Sequence, residues 1–248
     1  MRTVAIVQAR LTSTRLPRKA VADLGGRPLI ERVLRRVLRA REVGYVVLAV
    51  PDDATAGELR GACAPDMTWV EIYADEGHDP DDVLGRYVRA ARSANAEVIV
   101  RVCGDCPFVD PDVIDEVVQV RAAAGVDYAG NTRVRTYPRG LDVEAFTLAA
   151  LERELAWVSH VREHVTPSFL RAPPRATCAD VGCGGGGRPE RRWCVDEASD
   201  LDFARALWAA ARGAGDRDAP EALGWRELLR VSDAHEFHRL NEHIRQAF

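Results

Sequence analysis

The residues with the strongest chemical meaning stand near the start of the chain: Arg10, Thr12, Ser13, Thr14, Arg15, Arg18 and Lys19. Cations and hydroxyls gathered in one short loop are what a polyphosphate needs. Guanidinium forks take phosphate oxygens in pairs, hydroxyls and backbone N–H groups fill in, and a lysine supplies a compact, mobile point charge. Lys19 is the only lysine of the chain; the rest of its 34 Lys+Arg residues are arginine. An ammonium kept here points to a position that a guanidinium does not suit, against the plainer reading of compositional drift. A carboxylate with a complementary role is Asp105, in Cys103-Gly104-Asp105-Cys106-Pro107. Mg2+ is usually held by one or two carboxylates together with substrate phosphates. Beside a polyphosphate loop Asp105 therefore reads as a metal ligand, with a helix-entry cap as its plain alternative.

Such residues meet only if the fold brings their loops to one edge. The apolar run Val4 to Val7 reads as a buried strand that empties into the cationic loop. Pro28 to Arg41 follows with helical spacing of Leu29, Ile30, Val33, Leu34, Val37 and Leu38, and arginines on the outer face. Further strands are expected at Tyr45–Val50, Trp69–Tyr73 and Glu97–Val102. Helices are expected from the Asp52-Asp53-Ala54-Thr55 cap to about Cys63, over Asp81–Ser93, and from Asp110-Pro111 to Ala123. This alternation predicts an α/β, Rossmann-like, mostly parallel sheet flanked by helices. Ligands of such sheets sit at the carboxyl ends of the strands, where the first loop and Asp105 both fall.

After Val126 the pattern changes. Asp127 to Thr132 reads as a short strand and turn, and a helix runs from about Thr147 to Trp157. The glycine-rich stretch within Cys178–Arg192 lacks the strand-then-helix setting of a phosphate loop and reads as a mobile connection. Arg192 to Asp196 reads as a last strand ending in a carboxylate, followed by a helix over Ser199–Arg212, a polar linker over Gly213–Pro220, and a final helix over Ala234–Phe248 carrying His235, His238 and His243. The whole is one domain: a nucleotide-binding half (1–125), an acceptor-side insertion (126–190), and a last strand with C-terminal helices (191–248).

Composition sets the outer bounds. Hydrophobic content of 47% and charged content of 29% are ordinary for a globular protein, and a net charge of -4 argues against a general binder of nucleic acid or membrane surfaces. No apolar run approaches the ~20 residues of a membrane span, and the N-terminus enters a strand directly, so a cytoplasmic protein is expected. Disulfides are then not expected among the six cysteines. Cys103 and Cys106 have CxxC spacing, for which zinc or redox chemistry is a minor reading.

The motifs also carry a resemblance. Ala9-Arg10, Ser13-Thr14-Arg15-Leu16-Pro17 and Lys19, then Gly104-Asp105-Cys106-Pro107, then Arg192-Trp193-Cys194-Val195-Asp196 resemble, in order, the signatures of the spore-coat polysaccharide cytidylyltransferase family and its relatives the CMP-KDO synthetases. The resemblance implies transfer of CMP from CTP to a sugar-like or other anionic acceptor with release of pyrophosphate, in polysaccharide or secondary-metabolite biosynthesis, by a homodimer. It implies that Ala9, Arg10, Ser13, Thr14, Arg15, Lys19 and Gly104 bind the nucleotide, with Arg10, Arg15 and Lys19 acting on the triphosphate. Asp105 and Asp196 would hold Mg2+, and Asp200 could share the work of Asp196. The Gly-Asp-Cys-Pro motif accounts for the CxxC spacing without zinc. Tyr137 to Glu144 and Arg162 to Pro167 resemble acceptor-side segments, so Arg139, Asp142, Glu144 and His164 are the candidate acceptor contacts, with Arg133 and Arg135 near by. Two departures stand out: Arg18 occupies a position usually glycine, and Tyr73 to Pro80 is acidic where the family has an Arg-Gly pair near the base. Two other classes compete. A glycosyltransferase would need a paired-aspartate motif that Gly104-Asp105-Cys106 does not supply, and a non-catalytic nucleotide-binding scaffold would have little use for Lys19, Asp105 and Asp196 together.

Overall fold

The computed structural model describes residues 1–53, 55–63, 67–158, 164–171, 174, 176–213 and 218–244. Its centre follows from strands that are apolar on both faces. Along β1 (Thr3–Gln8), Ala5 and Val7 belong to one buried layer and Val4 and Ile6 to the other. β2 (Tyr45–Pro51), β3 (Val70–Asp75) and β4 (Val98–Cys103) pair with it in parallel, so both faces need cover. One face is covered by α1 (Leu29–Val37), α2 (Ala56–Gly61), α4 (Pro111–Ala124), α7 (Ala198–Arg212) and α8 (Trp225–Ala234). The other is covered by α3 (Val83–Ser93), α5 (Leu148–Trp157) and the short α6 (Pro167–Leu170).

The second half of the chain extends the same sheet. β5 (Tyr128–Gly130), β6 (Glu144–Thr147) and β7 (Cys178–Asp180) complete seven strands in the order β3-β2-β1-β4-β6-β5-β7, with β6 antiparallel to both neighbours. The mostly parallel α/β sheet expected from the alternation is thus present, and the glycine-rich stretch opens with an edge strand. Among the described residues no helix is long and apolar enough to cross a membrane.

Three expectations are corrected. Arg32 and Arg36 are not on an outer face; both are fully buried. Arg32 stacks 4.2 Å over Trp208 and reaches Asp218 at 2.7 Å, while Arg36 donates to the carbonyls of Val109, Pro220 and Leu223 at 2.6, 2.9 and 2.9 Å. A guanidinium has enough donors to close several loose carbonyls at once, and so it can enter the core where an ammonium would not. Arg192 to Asp196 is not a strand but a bent segment with one isolated bridge, Arg139 to Arg192. The final helix is α8, which starts at Trp225; a left-handed Glu236 (φ 52°) ends it and a 3-10 turn, Phe237–Leu240, follows. The remainder of the expected helix, 245–248, lies outside the described residues, as do 214–217 of the polar linker.

Arg36→Met removes the donor that the Val109 and Leu223 carbonyls accept from, so unfolding free energy should fall by about 3 kcal/mol. Urea denaturation checks this; a loss below about 1 kcal/mol would mean that the carbonyls find other partners.

Candidate functional site

The site is built where two central strands end level. Gln8 of β1 pairs with Cys103 of β4, and the Gly104 N–H donates to the Gln8 carbonyl at 3.0 Å. A Cβ on residue 104 would sit 2.5 Å from that oxygen, so only glycine lets the two loops leave side by side. The loop after β1 then closes on itself, the Arg18 N–H donating to the Leu11 carbonyl at 3.0 Å with Leu11 buried beneath it. Arg18 has φ 61°, the left-handed region. The position where glycine is usual thus keeps a glycine-like conformation with an arginine in it, at a strain of roughly 1–2 kcal/mol. Its guanidinium forks onto the Glu58 carboxylate.

This closure delivers Lys19 to the strand ends. Its Nζ donates to Asp105 Oδ2 at 2.7 Å and to Asp196 Oδ1 at 2.8 Å. Arg15 reaches the same Asp196 oxygen at 3.0 Å. Burial works to lower the Lys19 pKa, but attraction to Asp105 and then Asp196 outweighs it and holds the ammonium above its ordinary value. Burial likewise works to raise the pKa of Asp196, and the pull of Lys19, Arg15 and Arg192 outweighs it, so the carboxyl stays below its ordinary value.

Asp196 is aimed from behind. Arg192 Nη2 donates to Asp196 Oδ2 at 2.9 Å and, with Nε, grips both oxygens of the fully buried Asp200 at 3.0 and 2.9 Å. Asp200 in turn accepts the N–H groups of Asp196 and Glu197, both at 3.0 Å. Asn241 donates to Asp200 Oδ1 and to the Arg192 carbonyl, both at 2.9 Å. Asp200 is thus a brace and helix-entry acceptor rather than a second carboxylate facing the cleft. The Asp105 carbonyl accepts the Val195 N–H at 2.8 Å, which joins the two carboxylate-bearing segments directly.

A cleft of about 230 Å³ opens over these groups. Of the residues expected at the nucleotide site, Ala9, Arg10, Ser13, Arg15, Lys19 and Gly104 line it, as do Asp105 and Asp196. Thr14 is exposed and is not among the lining residues. Gln8 and Cys103 also line the cleft and were not expected. The strand register that puts them opposite each other was the signal that sequence alone did not carry.

The candidate acceptor residues are not brought together in the same way. Glu144 is 1% exposed and points into the protein, where Arg101, Tyr128 (2.8 Å) and Thr166 (2.9 Å) use its oxygens. It braces β6 against β4, and direct contact with an acceptor is corrected to this internal role. Asp142 is forked by Arg135 at 2.8 and 3.1 Å, and Arg133 stands 3.7 Å from Asp180. Arg139 sits where the loop docks on the Asp196 segment: its N–H donates to the Arg191 carbonyl at 2.9 Å, and its own carbonyl accepts from Trp193 at 2.6 Å. Gly140 (φ 102°) permits that docking, since a Cβ there would lie 2.5 Å from the Cys194 nitrogen. His164 is exposed; Arg162 and Glu163 lie outside the described residues.

The acidic segment after β3 has its own work. Asp75 is buried and forked by Arg89 at 2.7 and 2.6 Å, and Asp81 faces Arg10 at 3.3 Å. One carboxylate fixes α3 and another steadies Arg10 in the loop after β1.

The donor set fits a hard divalent cation. Asp105 Oδ2 and Asp196 Oδ1 already converge on one ammonium, so both can face one metal ion. Among the described residues no group of three or more His, Cys, Asp or Glu could hold a metal. Two carboxylates leave the remaining positions to phosphate oxygens and water, as Mg2+ and similar ions require.

Level strand ends, a cationic loop over a carboxylate pair and this sheet order define a nucleotidyltransferase fold. A family model described as "Cytidylyltransferase" matches residues 4–173, and the chain belongs to that family. Along most of its length it is similar to the spore coat polysaccharide biosynthesis protein SpsF of Bacillus subtilis, 29% identical over 88% of this chain and 91% of that protein. It is 39% identical to the 3-deoxy-manno-octulosonate cytidylyltransferase of Geobacter sulfurreducens over 48% of this chain and 44% of that one. A solved cytidylyltransferase structure from Leptospira borgpetersenii shares the fold with a TM-score of 0.86 at 22% identity, covering 99% of this chain and 100% of that one.

A carboxylate held below its ordinary pKa stabilises the fold above its unfolded value, about 4, and loses that contribution as pH falls through the folded value. The stability gap between the native chain and Asp196→Asn should therefore be full at neutral pH and close below about pH 4. Urea midpoints of both proteins across acid pH test this; a gap independent of pH would contradict an ionised, paired Asp196.

Proposed function

We propose that this chain transfers CMP from CTP to an oxygen of a small anionic, sugar-like acceptor, releasing pyrophosphate, with Mg2+ as its metal. The observation that carries this reading is the meeting of Lys19, Asp105 and Asp196 at the mouth of a cleft lined by Arg10 and Arg15. Family membership supports the cytidylyl group, and the names of the relatives support a sugar acceptor.

Each residue then has a role. Arg10 and Arg15 bind the triphosphate oxygens as forks, with Ser13 and the backbone around Ala9 and Gly104 completing the cradle. Lys19 neutralises two converging carboxylates before substrate arrives, and afterwards is placed to follow charge onto the leaving pyrophosphate. Asp105 and Asp196 would hold Mg2+, which when bound would draw off phosphate charge and lower the pKa of the acceptor hydroxyl. Transfer of this kind rests on positioning and fixed charge rather than on covalent chemistry by the protein.

The acceptor side rests on Arg139, Asp142 and His164, with Arg133 and Arg135 supplying positive charge for a carboxylate or phosphate. The loop that carries Arg139 is hydrogen-bonded to the Asp196 segment, so an acceptor gripped there would stand next to the metal carboxylates. A cytoplasmic homodimer completes the reading.

Lys19→Ala and Asp105→Asn should each lose on the order of a hundredfold or more in rate while the fold survives. Pyrophosphate release with Mg2+ and each of the four NTPs, over acidic sugars, sugar phosphates and phosphonates, is the measurement. CTP alone should support release. Near-native turnover in either variant, or equal use of another NTP, would contradict the assignment.

A further inference from the structure

Cys103 and Cys106 flank Asp105 in the sequence. The structure places both thiols around Asp105. The Cys106 N–H donates to the Cys103 carbonyl at 3.2 Å, so the chain folds back on itself over these four residues. A turn of this kind holds its end Cα atoms within about 7 Å, which overlaps the ~4.4–6.8 Å span of disulfides. Cys103 is half-buried and lines the cleft, which makes it the approachable partner; Cys106 is buried behind it. Both are free.

What lies between them gives the pair meaning. The Cys106 thiol donates to Asp105 Oδ1 at 3.4 Å, and Arg101 Nη2 stands 3.6 Å from the Cys103 sulfur. The turn is packed tightly on β1 through Gly104, and the Asp105 carbonyl holds the Val195 N–H. Joining the sulfurs would remove the thiol donor from Asp105, draw Cys103 from Arg101, and load strain onto a turn that also positions Asp196.

We propose that Cys103 and Cys106 form a reversible dithiol–disulfide site, oxidised by small disulfides of the oxidised-glutathione class, whose closure disables the Asp105–Asp196 cation site. In the first step the Cys103 thiolate attacks one sulfur of the reagent. A Cys103–S–S–R bond forms, the reagent's S–S bond breaks, and one RS⁻ leaves and takes up a proton. The Cys106 thiolate then attacks the Cys103 sulfur and expels the second RS⁻. Two protein thiols are oxidised and one reagent disulfide is reduced to two thiols. Where the surroundings are reducing, disulfides of this kind are transient and sensing rather than structural.

The dithiol pair stands independently of the proposed function; its effect on metal and nucleotide binding rests on that reading. The test uses the reduced full chain treated with oxidised glutathione, with peptide mapping under non-reducing conditions. Binding of Mn2+ with CTP is followed by electron paramagnetic resonance before treatment, after it, and after dithiothreitol. The expected result is a Cys103–Cys106 linkage, a roughly tenfold to hundredfold loss of metal affinity, and recovery on reduction. Cys103→Ser should form no linkage and keep its own affinity through the treatment. A lasting glutathione adduct on Cys103, a Cys106–Cys194 linkage, or a mapped Cys103–Cys106 bond with unchanged Mn2+ binding would each overturn the proposal. If the reduced chain does not bind Mn2+ with CTP, the nucleotide reading fails. The map and the NMR signal of Lys19, which contacts Asp105, then decide the redox site: linkage with a shifted signal supports it, and absence of either overturns it.

Discussion

One ammonium holds two carboxylates that would otherwise repel each other. Lys19 meets Asp105 across 86 positions of sequence and Asp196 across 177, so this contact joins the first loop, the middle of the sheet and the entry to α7. It can form only because β1 and β4 end level, because Gly104 lets their loops part at van der Waals distance, and because Arg192, Asp200 and Asn241 aim Asp196 from behind. The attraction stores a preference for positive charge at one point in the cleft. Substrate phosphates and a divalent cation would meet a site whose charges are already arranged, which is the condition for electrostatic catalysis.

Arginine and lysine divide the labour by geometry. A guanidinium offers donors in a fixed plane, and Arg32, Arg36 and Arg192 each use that plane to tie several acceptors inside the protein. Lys19 works differently, as one small, rotatable ammonium shared between oxygens that arrive from two segments. A guanidinium there would impose its own fork on the carboxylates. The single lysine of the chain therefore stands where the shape of its charge matters.

The central strands and most of the residues that line the cleft are legible in the sequence because they depend on short-range signals: apolar runs, helix-entry residues such as Asp110, and a dense loop of cations. What was hidden depends on tertiary partners. Arg32 and Arg36 fall on the polar side of a helical pattern, yet the C-terminal segment covers them, and no local rule shows that cover. Glu144 reads as a polar loop residue; its burial follows from β6, a short antiparallel strand inserted between β4 and β5. Arg192 to Asp196 has the apolar content of a strand, but only one bridge forms because its hydrogen bonds go to the Arg139 loop and to Asp105. After Ala234 histidines and charges mimic a helix face, whereas the last helix, α8, is fixed earlier by Asp110, which accepts the Trp225 N–H at 2.5 Å from across the fold.

The most direct measurement is the NMR signal of the Lys19 side chain, which selective labelling of this chain isolates without mutation because it has one lysine. Its pH titration should run well above the ordinary value of about 10.4 in the free protein, and the signal should shift when Mg2+ and CTP are added together as the ammonium exchanges carboxylate oxygens for phosphate. Titration at or below the ordinary value, with no response to Mg2+ and CTP, would contradict the account that Lys19 organises the site.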